Sequence, residues 1–235
     1  MRRLDPLELL DLFDRCGSAP AIERSAALIS LAYPHDDALR ETPGRRNSRL
    51  MEIRRVNLGR RMLCLTSCRS CAQTLEIEID TLDFADHRST ALKAVEHVSV
   101  EHDGYTLNFR LPVMADIQAS ARSASPLIKL LTSCAIDLPR EIRIDDPELL
   151  DKVSDAFDAA DPLGCIVLET RCPACFTVTQ PVLDPAGLVW HEFASLARRL
   201  EDDVHVLARA YGWRESEILD LPPARRSRYV ARALS

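Results

Sequence analysis

Hydrophobic positions along the chain predict a mostly helical protein that contains a few short β-hairpins. Apolar residues recur at intervals of three and four through residues 186–211, as in a helix that buries one continuous face. Similar spacing predicts shorter helices at residues 5–16, 20–33, 45–58, 114–122, 126–134, 147–160, 214–220 and 223–233. Residues 80–96 are polar and poorly periodic, which predicts a loop with at most a short helix.

Several helix ends carry residues that favour a boundary. Asp5 precedes Pro6 and Asp146 precedes Pro147. An acidic cap followed by proline is typical of the first turn of a helix, because the carboxylate accepts unpaired backbone N–H groups. Gly212 follows the long helix, where a glycine in the left-handed region commonly ends a helix.

Alternating polar and apolar residues predict three β-hairpins. Residues 97–111 alternate around Asp103-Gly104, a dipeptide that favours a tight turn. The other two hairpins each flank a Cys-x-x-Cys sequence and comprise residues 61–65 with 74–79, and residues 165–169 with 176–182.

Two Cys-x-x-Cys pairs carry the candidate chemistry of this chain. Cys68 and Cys71 form the first pair, and Cys172 and Cys175 form the second, about a hundred residues later. A strand, a tight Cys-x-x-Cys turn and a returning strand make a zinc knuckle, and two knuckles supply four thiolates for a tetrahedral ion. The sequence therefore predicts a split zinc ribbon that binds one structural Zn²⁺ per chain.

Two other interpretations of the cysteines stay open. Free cysteine is often buried, so all four can be ordinary core thiols. Cys64, Cys68 and Cys71 also have the spacing by which radical-SAM enzymes hold a four-iron cluster. That interpretation lacks the usual aromatic residue at position 70, which is Ser70, and the repeated strand–helix units of an α/β barrel. It also leaves the second pair without a role.

Composition and charge limit the class of protein. The chain has 235 residues, 46% hydrophobic and 28% charged, as in globular proteins with a proper core. Eight cysteines without an apparent secretory segment favour a reducing compartment, and no apolar run has the ~18 residues of a membrane helix. We therefore expect a cytoplasmic protein, or one held within an assembled particle, that has no membrane partner.

A net charge of −6 argues against general nucleic-acid binding, although one segment is strongly basic. This basic segment contains Arg45, Arg46, Arg49, Arg54, Arg55, Arg60 and Arg61. It suits an acidic partner or a phosphate backbone, whereas a solvated helix face explains it more simply. A zinc-ribbon nucleic-acid-binding regulator is therefore the alternative function, and a radical-SAM-like iron–sulfur enzyme is the third.

These elements predict an α+β protein, mostly helical, with a split zinc ribbon and one further β-hairpin in an inserted segment. The predicted division comprises an N-terminal helical region at 1–59, the ribbon at 60–80 and 164–184, the insertion at 81–163, and the C-terminal helices at 185–235.

The C-terminal third resembles the T-even-type phage baseplate hub assembly proteins, which have zinc-knuckle-bearing relatives in contractile phages and contractile injection systems. The residues that carry this resemblance are Asp203 to Trp213, Glu215, Glu217-Ile218-Leu219, Arg225-Arg226 and Tyr229. Similar segments occur earlier in the chain, at Phe109-Arg110-Leu111-Pro112 with Asp116, and at Asp161-Pro162 leading into the second cysteine pair.

The resemblance implies a non-enzymatic protein that helps to assemble, or forms part of, a contractile-tail baseplate hub, without a small-molecule substrate. Its expected partners are baseplate or hub proteins. The candidate partner-binding residues are Trp213, Ile218, Leu219, Arg225, Arg226 and Tyr229. Large aromatics occur in cores as often as in interfaces, so simple packing of Trp213 and Tyr229 is the competing interpretation.

The two knuckles depart from the expected pattern at one position each. A glycine is expected directly after the second cysteine of a knuckle, and this chain has Ala72 and Phe176 there. The departure removes no metal ligand, but it places the backbone geometry of both turns in question.

Overall fold

The computed structural model describes residues 1–84 and 97–235 of the chain. Its helices are α1 (Pro6–Cys16), α2 (Ala21–Ala32), α3 (Pro43–Leu58), α4 (Met114–Ser120), α5 (Pro126–Cys134), α6 (Pro147–Ala160), α7 (Pro185–Tyr211), α8 (Glu215–Leu219) and α9 (Pro223–Ala233), with short 3-10 helices at Ala38–Arg40 and Thr81–Phe84. Its strands are β1 (Arg61–Ser67), β2 (Thr74–Asp80), β3 (His97–His102), β4 (Tyr105–Arg110), β5 (Ala135–Asp137), β6 (Ile166–Val167), β7 (Thr170–Arg171), β8 (Val178–Thr179) and β9 (Val182–Leu183).

The mixture of helices and small antiparallel sheets agrees with the predicted α+β class. The chain divides into one unit of residues 1–34 with 186–235, and a second unit of residues 35–185. This division differs from the predicted one, because α3 belongs with the unit of residues 35–185 rather than with α1 and α2. Most of the predicted loop at 80–96 lies outside the described residues.

The first unit is helical and is organised around α7. The α1 ring of Phe13 packs on Trp190 with ring centroids 4.3 Å apart, and the Arg24 guanidinium lies 5.3 Å from the Trp190 ring. Asp5 accepts a hydrogen bond from the Leu7 N–H and thereby caps α1, as predicted. The buried face of α7 comprises Val189, Phe193, Ala197, Leu200 and Leu207.

The second unit contains a sheet of β3, β4 and β5 in that order, covered by α5 and α6. The hairpin β3–β4 turns at Asp103 and Gly104, which both have positive φ, as the sequence predicts. Strand β5 was not predicted, because its three residues are too few to show the polar–apolar alternation of a strand. The core of this sheet includes Val100, Leu107, Phe109, Leu131, Cys134, Leu149 and Val153.

Helix α3 corrects the expectation that the arginines of the basic segment lie on a solvated face. Arg49 and Arg54 are buried. The Arg49 Nε atom lies 2.7 Å from Glu41 Oε1, and Arg54 donates to the carbonyl of Gly59 at 2.6 Å. Each buried guanidinium therefore has an oxygen partner inside the unit, a carboxylate for Arg49 and a backbone carbonyl for Arg54.

Other arginines of the segment also have acidic partners at the surface. Arg60 donates to both carboxylate oxygens of Asp80, at 2.7 and 2.6 Å, and Arg61 lies 2.9 Å from Glu78. These pairs join β1 and the residue before it to β2, and they lower the positive charge available to a phosphate backbone.

Arg110 and Asp116 connect the end of β4 to the helices that follow it. Arg110 donates two hydrogen bonds to the Asp116 carboxylate, at 2.6 and 2.8 Å, and a third to the carbonyl of Ser133. Asp116 also accepts the Val113 N–H at the start of α4. The Arg110 hydrogen bonds hold the pKa of Asp116 below its usual range.

This pair predicts a stability defect that depends on pH. Asp116→Asn removes the charge that Arg110 binds, so we expect the free energy of unfolding at pH 7 to fall by about 1–3 kcal/mol. A lowered pKa stabilises the fold above the unfolded-state value near pH 4, and this stabilisation is lost as the pH falls through the folded-state value. Urea unfolding at several pH values should therefore show a difference from wild type that shrinks below about pH 4.

The exposed Asp151 on α6 provides the matched control. Asp151→Asn should leave the free energy of unfolding within about 0.5 kcal/mol at every pH. An equal effect of both substitutions, or a pH-independent effect of Asp116→Asn, would contradict the role of the pair.

Candidate metal centre

The first cysteine pair lies in the turn between β1 and β2. These strands pair in register from Arg61 opposite Asp80 to Ser67 opposite Thr74. The turn closes with two backbone hydrogen bonds, from the Cys68 N–H to the Gln73 carbonyl and from the Ala72 N–H to the Cys68 carbonyl, both 2.9 Å.

The second pair lies in a turn that repeats the same two bonds between β7 and β8. The Cys172 N–H donates to the Thr177 carbonyl at 3.0 Å, and the Phe176 N–H donates to the Cys172 carbonyl at 2.9 Å. The two turns therefore have the same backbone hydrogen-bond pattern around their cysteine pairs.

Both turns place an ordinary L-residue in the left-handed region. Ala72 has φ +58° and Phe176 has φ +61°. These are the two positions where the sequence lacks the expected glycine. Both residues therefore adopt a backbone conformation that glycine prefers, at a cost of about 1 kcal/mol each.

The two turns bring four sulfurs to one place. The Sγ atoms of Cys68, Cys71, Cys172 and Cys175 all lie within 4.8 Å of one another. Cys68 and Cys175 are 3.5 Å apart, and Cys71 and Cys172 are 3.6 Å apart. A tetrahedral ion with metal–sulfur bonds of about 2.3 Å requires sulfurs about 3.8 Å apart. The four cysteines therefore lie close enough to bind one metal ion.

The group is closed on its inner side and reaches the surface on its outer side. Cys68 and Cys172 are buried against Leu75, whereas Cys175 is half-buried and Cys71 is exposed. The first cysteine of each turn thus belongs to a small core, and the second forms the edge of the site.

Hydrogen bonds within the turns favour thiolates at two of the four positions. Backbone N–H groups of Cys71 and Ser70 lower the pKa of Cys68. Hydrogen bonding with the Thr177 hydroxyl and, to a smaller extent, with the Thr177 backbone N–H lowers the pKa of Cys175 to about 6. Knuckle backbones commonly stabilise negative sulfur in this way, which suits a cation at the centre.

At Cys71, by contrast, the neighbouring sulfurs oppose ionisation of the thiol. The Gln73 N–H favours its thiolate, but hydrogen bonding with the sulfurs of Cys175 and Cys172 raises the pKa of Cys71 to about 12. Four thiols this close cannot all ionise without a positive charge among them, because each negative charge opposes the next. The donor set therefore fits a cation that binds all four as thiolates.

Comparisons of the chain with protein-family models, with curated proteins and with solved structures give no match. Among residues 1–84 and 97–235, no helix combines the length and the apolar character required to cross a membrane.

The remaining cysteines lie outside the group of four sulfurs. Cys64 is buried in β1 opposite Ile77, and Cys165 is exposed directly before β6. Cys134 is buried in the core of the second unit, and desolvation raises its pKa to about 11, which agrees with the predicted core thiol. No other cluster of three or more potential metal ligands occurs in the described part of the chain.

The candidate partner-binding residues do not form one surface, which corrects the prediction. Ile218 is 0% exposed and Leu219 is 5% exposed, so both belong to the core of the first unit. Arg226 is also buried, where its Nε donates to Asp203 at 2.9 Å. Periodicity over a five-residue helix is too short to distinguish an inward face from an outward one.

Three aromatic rings at the C-terminus remain accessible and contact one another. Tyr211 is stacked on Trp213 with centroids 4.7 Å apart, and Tyr229 meets Trp213 edge-on at 5.1 Å. Trp213 and Tyr229 are half-buried, and Tyr211 and Arg225 are exposed. We call Tyr211, Trp213 and Tyr229 the aromatic cluster.

The left-handed conformation of Ala72 predicts opposite effects for alanine-to-glycine substitutions at Ala72 and at Ala174. Ala72→Gly should raise the free energy of unfolding of the metal-loaded protein by about 0.5–1 kcal/mol, because glycine relieves the left-handed strain. Ala174→Gly should lower it by a similar amount, because Ala174 lies in the other knuckle without positive φ.

Chemical denaturation of both variants measures this difference. Equal destabilisation by the two substitutions would contradict the left-handed conformation of the first knuckle.

Proposed function

We propose that the four cysteines bind one structural Zn²⁺, and that the chain is a non-enzymatic assembly protein of a contractile-tail baseplate hub. The observation that carries this proposal is the convergence of four cysteine sulfurs from two distant hairpins. Zn²⁺ prefers four thiolates in a tetrahedron, and four protein ligands leave no open position for a substrate or a reactive water.

The ribbon needs such an ion for its stability. Strands β6 to β9 contain two residues each, and the core beside the cysteines is small. Isolated two-stranded hairpins are marginally stable in water. A metal bound to both turns would hold together hairpins that lie 101 residues apart in sequence at Cys71 and Cys172.

Protein docking is the role we assign to the exposed part of the C-terminal unit. Aromatic rings beside arginine are typical anchors of protein interfaces. The aromatic cluster and the exposed Arg225 supply this combination. Ile218, Leu219 and Arg226 are buried and stabilise the unit that presents it. The resemblance to baseplate hub assembly proteins favours a hub or baseplate protein as the partner.

Some of the residues that carry the resemblance have a structural role in this chain. Arg110 and Asp116 form the bidentate pair that orders α4 and α5. Gly212 ends α7 with φ +70°, which directs the chain into the aromatic cluster. These residues therefore support a scaffold for docking in this chain.

Purified baseplate and hub proteins of a contractile tail from the same source provide the test. We expect one of them to bind the chain, and Trp213→Ala or Tyr229→Ala to weaken this binding by at least about tenfold. Calorimetric titration measures the affinity, and urea unfolding of each variant measures its stability.

Tyr105→Ala is the matched control, since Tyr105 is an exposed aromatic residue on the β3–β4 hairpin of the other unit. It should bind like wild type. Absence of binding to every hub and baseplate protein would contradict the proposed function. Loss of stability without a specific loss of affinity in the Trp213 and Tyr229 variants would contradict the role of the aromatic cluster.

A further inference from the structure

A cavity of about 260 Å³ lies in the second unit, between α4, α5 and α6. Its inner surface is mostly apolar, because leucine, isoleucine, proline and phenylalanine side chains make up most of the lining. The principal lining residues are Leu111, Ile117, Leu130, Leu131, Leu150 and Phe157. None of the four clustered cysteines belongs to the lining, so this cavity is a separate feature of the molecule.

The polar groups of the cavity are acidic or neutral. Asp158, Asp161, Ser154 and Cys165 complete the lining, and it contains no lysine, arginine or histidine among the described residues. A ligand in this cavity therefore meets an apolar wall with negative charge at one side. Such a distribution favours an apolar group that carries a positive charge.

The Asp161 carboxylate is already hydrogen-bonded within the protein. It accepts the Gly44 N–H at 2.8 Å, near the start of α3, and this approach is so close that a side chain at Gly44 would overlap it. Asp158 is exposed on α6, one helical turn after Ser154. The charge that a ligand can reach is therefore that of Asp158.

The volume restricts the size of the ligand. A dry apolar cavity of about 150 Å³ accommodates benzene, and drug-sized ligands occupy sites of roughly 300–1,000 Å³. A cavity of about 260 Å³ therefore suits one small ring system rather than a long chain or a nucleotide.

We propose that this cavity binds a small apolar amine, with its ring system between α4, α5 and α6 and its protonated amine beside Asp158. The apolar wall provides most of the binding, and Asp158 selects the charge. No sequence motif predicts this site, because its lining residues come from four separate segments of the chain.

Three indole compounds of similar size and different charge test the proposal: tryptamine, 3-ethylindole and indole-3-propionate. We expect tryptamine to bind most tightly and indole-3-propionate most weakly in calorimetric titrations of the full chain. Asp158→Asn should weaken tryptamine binding by about fivefold and leave 3-ethylindole unchanged, because an exposed charge pair contributes about 1 kcal/mol.

Two further variants make the assignment specific. Asp155→Asn changes a neighbouring exposed carboxylate that does not line the cavity, and tryptamine should bind it like wild type. Ser154→Phe places a ring at the exposed lining position of Ser154, and should abolish binding of all three compounds without unfolding the protein. Thermal unfolding of each variant confirms that it is folded.

The proposal is overturned if none of the three compounds binds, or if Ser154→Phe leaves their binding unchanged. It is also overturned if the three compounds bind equally well or if the two aspartate variants behave alike, since the charge of Asp158 would then have no part in selection.

Discussion

The convergence of two cysteine pairs is the constraint on which the second unit depends. Cys71 and Cys172 are 101 residues apart in sequence, and their sulfurs lie 3.6 Å apart in space. The sheet β3–β4–β5 and helices α4 to α6 are therefore inserted between two turns that must meet. Strands β7 and β8 contain two residues each and the apolar core beside the cysteines is small, so the meeting of the two turns holds both ends of the insertion in place.

The two turns keep a backbone conformation that is unfavourable for their residues because other interactions hold the backbone in place. Each turn has the same two backbone hydrogen bonds, and in each the residue after the second cysteine has positive φ although it is not glycine. Local preference alone would move Ala72 and Phe176 out of this region. Strained conformations persist where the surroundings over-determine them, and a bound metal would supply that determination through the two sulfurs of each turn.

Sequence patterns predicted the parts of this fold that depend on local chemistry. Asp5, Asp146 and Gly212 mark helix ends because capping acts within one turn, and Asp103-Gly104 marks a hairpin for the same reason. The four sulfurs could be predicted as one group because Cys-x-x-Cys spacing has few other structural uses.

Tertiary packing determines the features that the sequence did not predict. The burial of Arg49 and Arg54 was not predicted, because the sequence pattern of α3 does not indicate that Glu41 before the helix and the Gly59 carbonyl after it contact these side chains. Ile218 and Leu219 face inward because α8 packs on α1, which the sequence of α8 cannot indicate. The apolar cavity has the same origin, since it arises where three helices fail to fill the space between them.

We propose that a single zinc ion joins the two hairpins. The metal content of anaerobically purified protein, measured by elemental analysis with a parallel visible spectrum, tests this directly. We expect one zinc per chain and a colourless protein, with the zinc lost in Cys172→Ser and kept in Cys134→Ser, although both cysteines are fully buried. Iron and sulfide with a brown absorbance, or a folded protein that contains no metal, would contradict it.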